Sequence, residues 1–346
     1  MIRVLIADDS PLVRAVLRDL LAQATDIDIV AEVGDGRAAV AQTALLRPDV
    51  VIMDVMMPEM DGIEAVATIM ASTPTPILML SANTDPTDSR SAFSAIRLGA
   101  LDVMAKPAGA TTDAFGQMAE LLINKVRSLS RIRVMHHFRA HRRSIMPAPA
   151  PAPAAREGQR RILAIGASTG GPKVVMQLLK ELPGDFAAAV LIVQHIADGF
   201  AAGFAEWLDR EVPLPVALAR DGEPVRSGRV LVAPNGAHLT VNDAGCIALS
   251  PAPPLHCCRP AVDALFQSLA AAQRGGETVG VILTGMGSDG AAGLQALHRQ
   301  GAFTIAQDEA SCAVFGMPKA AIERGAVDQI LPLAEITAAV RPLFGR

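Results

Sequence analysis

The chain has 346 residues, of which 51% are hydrophobic, and a formal net charge of −4. That length suits two domains, each able to bury a core. The charge gives no global case for nucleic acid or an anionic membrane as partner, no apolar run approaches the roughly 20 residues of a membrane span, and the opening "MIRVLIADDS" turns acidic too early for a signal peptide. The cysteines are Cys246, Cys257, Cys258 and Cys312. None lies in a C-x-x-C pair, and neighbouring Cys257 and Cys258 cannot bridge without strain, so reduced thiols in a cytoplasmic protein are expected.

In the first half, apolar strands read "RVLIAD", "DIVAEV", "DVVIMD", "PILMLS" and "DVMAKP", alternating with amphipathic stretches. This pattern predicts a parallel sheet with helices on both faces. Functional residues in such sheets gather at the carboxyl ends of the strands. Those ends carry Asp8 and Asp9, Asp54, Ser81, and Lys106 followed by Pro107. In a five-stranded sheet of order 2-1-3-4-5 the first and third strands are neighbours, so three carboxylates converge. Such a cluster repels itself unless a cation or protons enter it. Carboxylate oxygens with open positions suit Mg²⁺. Lys106 adds a point charge for a phosphoryl oxygen, Ser81 a donor, and Asp54 a nucleophile for an acyl phosphate. Any one acid alone reads as a solvated strand end; the five positions together do not.

Through "IADDS", "VVIMDVMMPEMDG", "LMLSA" and "MAKP", residues 1–125 resemble the receiver domain of two-component response regulators. The resemblance implies a flavodoxin-like fold. It also implies that Asp54 accepts a phosphoryl group from a histidine kinase and that Asp8, Asp9 and the Met56 carbonyl join Asp54 around Mg²⁺. One departure stands out: Val103 occupies the position where many receivers carry an aromatic switch residue.

Residues 126–159 form a helix end and linker. The basic stretch Lys125, Arg127, Arg131, Arg133, Arg139, Arg142 and Arg143 leads into "PAPAPAPAA" from Pro147 to Ala155. Alternating Pro and Ala favours an extended spacer. Without interleaved tyrosine or tryptophan, the basic residues read as an exposed helix end rather than a nucleic-acid site.

The second half, residues 160–346, shows clear strands at "RILAIGA", "AAVLIVQH", "GRVLVAP", "VGVILTG" and "FTIAQ", which predict a doubly wound, mostly parallel α/β domain. It lacks the helical, basic character of a DNA-binding output module. In "ILAIGASTGGPKVV", Gly166, Ser168 and Gly170 match the G-x-S-x-G pattern of a nucleophile turn. A phosphate cradle would need a lysine inside the turn, and Lys173 comes too late. On this stretch alone, an anion-binding or purely structural turn remains an alternative. A serine nucleophile needs a base and an orienting acid. His195 ends "AAVLIVQH" on the same sheet rim, with His238 the second choice, His256 in a Pro/Cys loop and His298 in a helical pattern. For the acid, Asp289 lies in the small-residue turn of "VGVILTGMGSDGAAG", with Asp308 the nearest competitor. Asp289 could equally cap the following helix.

Together with the receiver, "AIGASTGGP", "IVQHI", "VLVAPNGAHL", "RPAVDALF", "GVILTGMGSDGAAG" and "IAQDEASCAVFGMPKAA" resemble the chemotaxis protein-glutamate methylesterase and glutaminase family. The resemblance implies a catalytic Ser168, His195 and Asp289, with the Met286 N–H as oxyanion donor and Thr169 helping to position the histidine. It implies hydrolysis of glutamate methyl esters on chemoreceptors, releasing methanol, and deamidation of receptor glutamines, with no cofactor for the esterase step. Chemoreceptors and the chemotaxis histidine kinase are the implied partners, without nucleic acid or membrane insertion, and the chain is expected to be a monomer. The unphosphorylated receiver is expected to pack over the Ser168 rim. "LHCC", before Arg259, is a local peculiarity of unassigned effect. Two rival readings are a C-terminal half that only binds a receptor or kinase, and a transcription regulator using the Lys125–Arg143 stretch.

Overall fold

The computed structural model describes residues 1–82, 86–107, 112–132 and 160–345. The N-terminal half runs β1 (Ile2–Ala7), α1 (Pro11–Leu21), β2 (Ile27–Val33), α2 (Gly36–Leu46), β3 (Val50–Asp54), α3 (Gly62–Ser72), β4 (Ile77–Ser81), α4 (Pro86–Leu98), β5 (Asp102–Ala105) and α5 (Thr112–Leu129). All five strands are parallel, in the expected order β2-β1-β3-β4-β5. Central β3 and β4 are buried along their whole length, which is why they read as unbroken apolar runs. Local chemistry starts the helices. Ser10 caps α1 by accepting from the Val13 N–H, and Asp61 caps α3 by accepting from the Glu64 N–H.

Two of the basic residues at the end of the N-terminal half are neutralised within it. Lys125 pairs with buried Asp102, and Arg127 bonds both oxygens of Asp26 at 2.9 and 2.7 Å. Lys125 is largely shielded by this pairing and Arg127 is more open to solvent; Arg133, Arg139, Arg142, Arg143 and the Pro/Ala run lie outside the described residues.

The C-terminal half continues with β6 (Ile162–Ala167), α6 (Gly171–Lys180), β7 (Ala189–Gln194), α7 (Phe200–Glu211), β8 (Val216–Leu218), β9 (Val230–Val232), β10 (His238–Val241), β11 (Ile247–Ser250), α8 (Val262–Ala271), β12 (Thr278–Ile282), α9 (Ala291–Arg299), β13 (Phe303–Gln307), α10 (Met317–Glu323), β14 (Gln329–Leu331) and α11 (Leu333–Val340). Seven strands form a wholly parallel sheet of order β14-β13-β12-β6-β7-β9-β8. The five strands legible in the sequence are all in it. Short β8 and β14 and the separate antiparallel hairpin β10–β11 are additions. Strand β6 lies between β12 and β7, so the carboxyl ends of these three strands share one stretch of rim.

The halves meet through helices. Phe93 of α4 packs among Phe200, Phe204 and Trp207 of α7, with ring centroids 6.3, 5.4 and 5.8 Å away. All four side chains are buried. At the edge of this contact Arg97 reaches Glu211 at 3.7 Å.

The sheet end under the serine turn is tightly packed. Gly170 precedes α6 with φ 75°, a conformation that L side chains resist. A Cβ on Gly166 would lie 2.2 Å from Val262 Cγ1. We therefore expect Gly166→Ala to destabilise the C-terminal domain by about 1–3 kcal/mol, seen as a lowered melting temperature; an unchanged melting temperature would contradict this packing.

Candidate functional site

Two clusters of polar side chains occupy strand ends, one in each half. In the receiver half, Asp8, Asp54 and Ser81 are buried, and Asp9 is exposed beside them. Lys106 Nζ lies 2.9 Å from Asp8 and 2.7 Å from Asp54. Ligand oxygens of Asp8, Asp9 and Asp54 fall within 4.8 Å of one another, an oxygen-only set suited to a hard divalent cation. Among the described residues Ser81 Oγ, buried there, has no hydrogen-bond partner, which makes it a donor available to an incoming anion. Burial pushes the Asp54 carboxyl up to about 6; Lys106 pulls against that and Asp8 adds to it. Met56, two residues beyond the strand, carries an exposed side chain. Val103 is buried in the core.

In the other half, Ser168 follows β6, His195 follows β7 and Asp289 lies in the turn after β12. Backbone bonds join these segments: the Ser168 N–H donates to the Thr284 carbonyl, and the His195 N–H to the Ala167 carbonyl. Gln194, which the sequence reading passed over, braces both turns. Its buried Nε2 donates to the Ser168 carbonyl at 2.8 Å and the His195 carbonyl at 2.9 Å. The "QH" pair at a strand end was the available signal. Thr169 is buried, its carbonyl accepting from Thr284 Oγ1.

His195 Nε2 and Asp289 Oδ2 are 2.7 Å apart. The carboxylate of Asp289 also accepts the N–H groups of Val262 at 2.7 Å and of Asp263 and Gly290 at 2.9 Å. The capping role open in the sequence thus falls mainly on another helix, α8, whose first two amides it binds. Burial alone would raise this carboxyl, but His195 and the α8 amides hold it below the usual range. Burial likewise disfavours a charged His195, yet the Asp289 and Cys258 contacts outweigh it and lift the imidazole to about 9. The second ring nitrogen, Nδ1, faces Cys258 Sγ at 3.7 Å. Among the described residues no hydrogen bond joins Ser168 Oγ to His195.

The other histidines have different surroundings. His238 is buried and bonds the Pro253 carbonyl and the Ala261 N–H. His298 lies beside Thr304 and Asp328. His256 Nε2 is 2.8 Å from Asp263 and 4.0 Å from Asp289. His256, Asp263 and Asp289 are close enough to suggest a metal set. However, both oxygens of each acid already accept hydrogen bonds from this chain. Asp308 is engaged locally by Ser311. Met286 is half-buried, and its Sδ lies 4.0 Å from Ser128 Oγ of the receiver half.

Comparison with known proteins finds a family for each half. Residues 4–112 match the response regulator receiver domain, and residues 163–340 match the CheB methylesterase family. A "Protein-glutamate methylesterase/protein-glutamine glutaminase 2" of Anaeromyxobacter dehalogenans is 48% identical over 99% of this chain and 97% of its own length. A relative similarly named, with the number 3, from Pseudomonas aeruginosa is 42% identical over 99% of each chain. The crystal structure of the Thermotoga maritima CheB methylesterase catalytic domain aligns with 52% of this chain and 96% of its own, at 38% identity and a TM-score of 0.50. No helix among the described residues is long and apolar enough to cross a membrane. The chain belongs to the CheB methylesterase family, with a response regulator receiver domain preceding the methylesterase domain.

Proposed function

We propose that this chain is a phosphorylation-controlled protein-glutamate methylesterase of chemotaxis signalling that also deamidates receptor glutamines. The observation that carries the reading is the 2.7 Å His195–Asp289 contact on the strand end beside Ser168, within a full-length family match. Ser168 Oγ attacks the ester carbonyl of a chemoreceptor glutamate. Its proton passes to His195 Nδ1 of the ring in its neutral form, because Nε2 is committed to Asp289. The tetrahedral oxyanion is received by backbone donors, the Met286 N–H among them, each worth about 3 kcal/mol in comparable sites. His195 returns the proton to the leaving methanol, and water then hydrolyses the acyl-serine by the same steps in reverse. An amide substrate releases ammonia instead. Thr169 belongs to the support of this turn.

In the receiver, Asp54 accepts the phosphoryl group from the chemotaxis histidine kinase, and Lys106 and Ser81 bind its oxygens. Asp8, Asp9, Asp54 and the Met56 carbonyl would hold a Mg²⁺ ion, which supplies charge neutralisation for the transfer. Control follows from contact between the halves. Phe93 anchors α4 on α7, and Ser128 lies against Met286, the residue proposed to serve the oxyanion. A bulky receptor helix is thereby kept from the rim until phosphorylation loosens the contact. A receiver that merely localises the enzyme near its kinase is the rival reading.

Three measurements test this. Ser168→Ala should abolish methanol release from methylated receptors while leaving phosphoryl uptake at Asp54 intact; retained release would overturn the serine mechanism. Phe93→Ala should raise methanol release by the unphosphorylated protein about tenfold or more, corresponding to about 1.4 kcal/mol of lost contact. Unchanged basal release would favour localisation over obstruction. The raised Asp54 carboxyl makes a third prediction. Its folded value lies above the unfolded one, so its stability contribution is present below pH about 4 and lost as pH rises through about 6. Asp54→Asn should therefore melt higher than wild type at pH 8 in the absence of divalent ions, with the advantage gone at pH 4.

A further inference from the structure

The segment "LHCC" is tied neither to the sheet nor to the proposed reaction, yet it reaches the centre of the site. Leu255 and Cys258 bond each other's backbone in both directions, at 3.1 and 2.8 Å. The two residues between them, His256 and Cys257, have φ of 50° and 61°. Two successive positive φ values mark the tight hairpin turn that ordinarily takes Asn-Gly. Bulky L-residues there cost of order 1 kcal/mol each. The turn sets His256 on Asp263 and Cys258 Sγ against His195 Nδ1. The result is a thiol–imidazole–carboxylate series, Cys258, His195 and Asp289, at 3.7 and 2.7 Å.

We propose that Cys258 is a reactive thiol and a covalent modification site, which exchanges with low-molecular-weight disulfides and thereby switches the esterase off. The Cys258 proton moves to His195 Nδ1, the only ring nitrogen not held by Asp289. The thiolate attacks one sulfur of the disulfide, forming the Cys258 mixed disulfide and breaking the original S–S bond. The departing thiolate takes the proton back from His195, so one disulfide and one thiol give one disulfide and one thiol. The adduct then stands at the nitrogen that must receive the Ser168 proton. That inhibitory half rests on the esterase mechanism proposed above; the reactivity of the thiol does not. Cys258 is partly exposed and Cys257 exposed, so a small disulfide can approach. The groups facing His195 are Asp289 and Cys258, with His256 and Asp263 behind them.

The test uses the full-length protein and the aromatic disulfide dithiobis-nitrobenzoate, followed by release of thionitrobenzoate at pH 7. A variant with Cys246, Cys257 and Cys312 changed to Ser should react at least tenfold faster than one retaining only Cys257. Adding His195→Gln should remove that advantage. If the two thiols react alike, or if His195→Gln changes nothing, the proposal is wrong. In wild type, methanol release should fall in step with labelling at Cys258, located by peptide mass spectrometry, and return with dithiothreitol. Cys258→Ala should keep its own starting activity under the same treatment. Fast labelling with undiminished esterase activity would overturn the switch. Absence of any methanol release before labelling would instead count against the esterase reading, while leaving the thiol kinetics to stand on their own.

Discussion

One buried carboxylate ties the C-terminal domain together at the rim. Asp289 accepts the first two amides of α8, the amide of Gly290 just before α9, and the imidazole of His195. A charged carboxylate is costly to bury unless its oxygens are satisfied. Here four donors satisfy them, and two are the otherwise orphaned N–H groups of a helix start. The same residue therefore sets the position of α8, fixes the turn after β12 and decides which nitrogen of His195 is free. Neighbouring Asp263 repeats the device on a smaller scale, taking the Gly293 N–H and His256.

The receiver solves a related problem differently. Its acids have few amide partners, and a single ammonium spans two of them, Asp8 and Asp54. Desolvation there is left partly uncompensated, and the Asp54 carboxyl is correspondingly raised. In one site both oxygens of the carboxylate are bonded, which suits it to holding a ring in place. The other is under-neutralised and carries at Ser81 a hydroxyl with no partner among the described residues, suited to taking in charge.

Much of this was legible in the sequence because parallel sheets concentrate chemistry at strand ends. Asp8, Asp54, Ser81, Lys106, Ser168 and His195 all sit at or just past runs of apolar residues long enough to recognise. The elements that escaped notice lack that signature. Strands β8 and β14 have three residues each and are only partly buried, whereas the equally short β9 is buried throughout and reads as an apolar run. The amides of Val262 and Asp263 carry no side-chain mark of their role, and they meet Asp289 across 27 and 26 residues of chain. Cys258 meets His195 across 63 residues, through a turn whose positive φ values contradict its own residue preferences. Long-range geometry of that kind is set by packing and leaves no local pattern.

The contact between α4 and α7 has an optical side. The chain contains one tryptophan and no tyrosine. That tryptophan, Trp207, is buried between the two halves, stacked at 26° on Phe93 of the receiver and at 29° on Phe204. The indole emission of the whole molecule therefore originates at the seam between its domains. Parting of the seam would take Phe93 off that ring and leave Phe204 on it, so the protein carries a built-in fluorophore for the motion on which its control would depend.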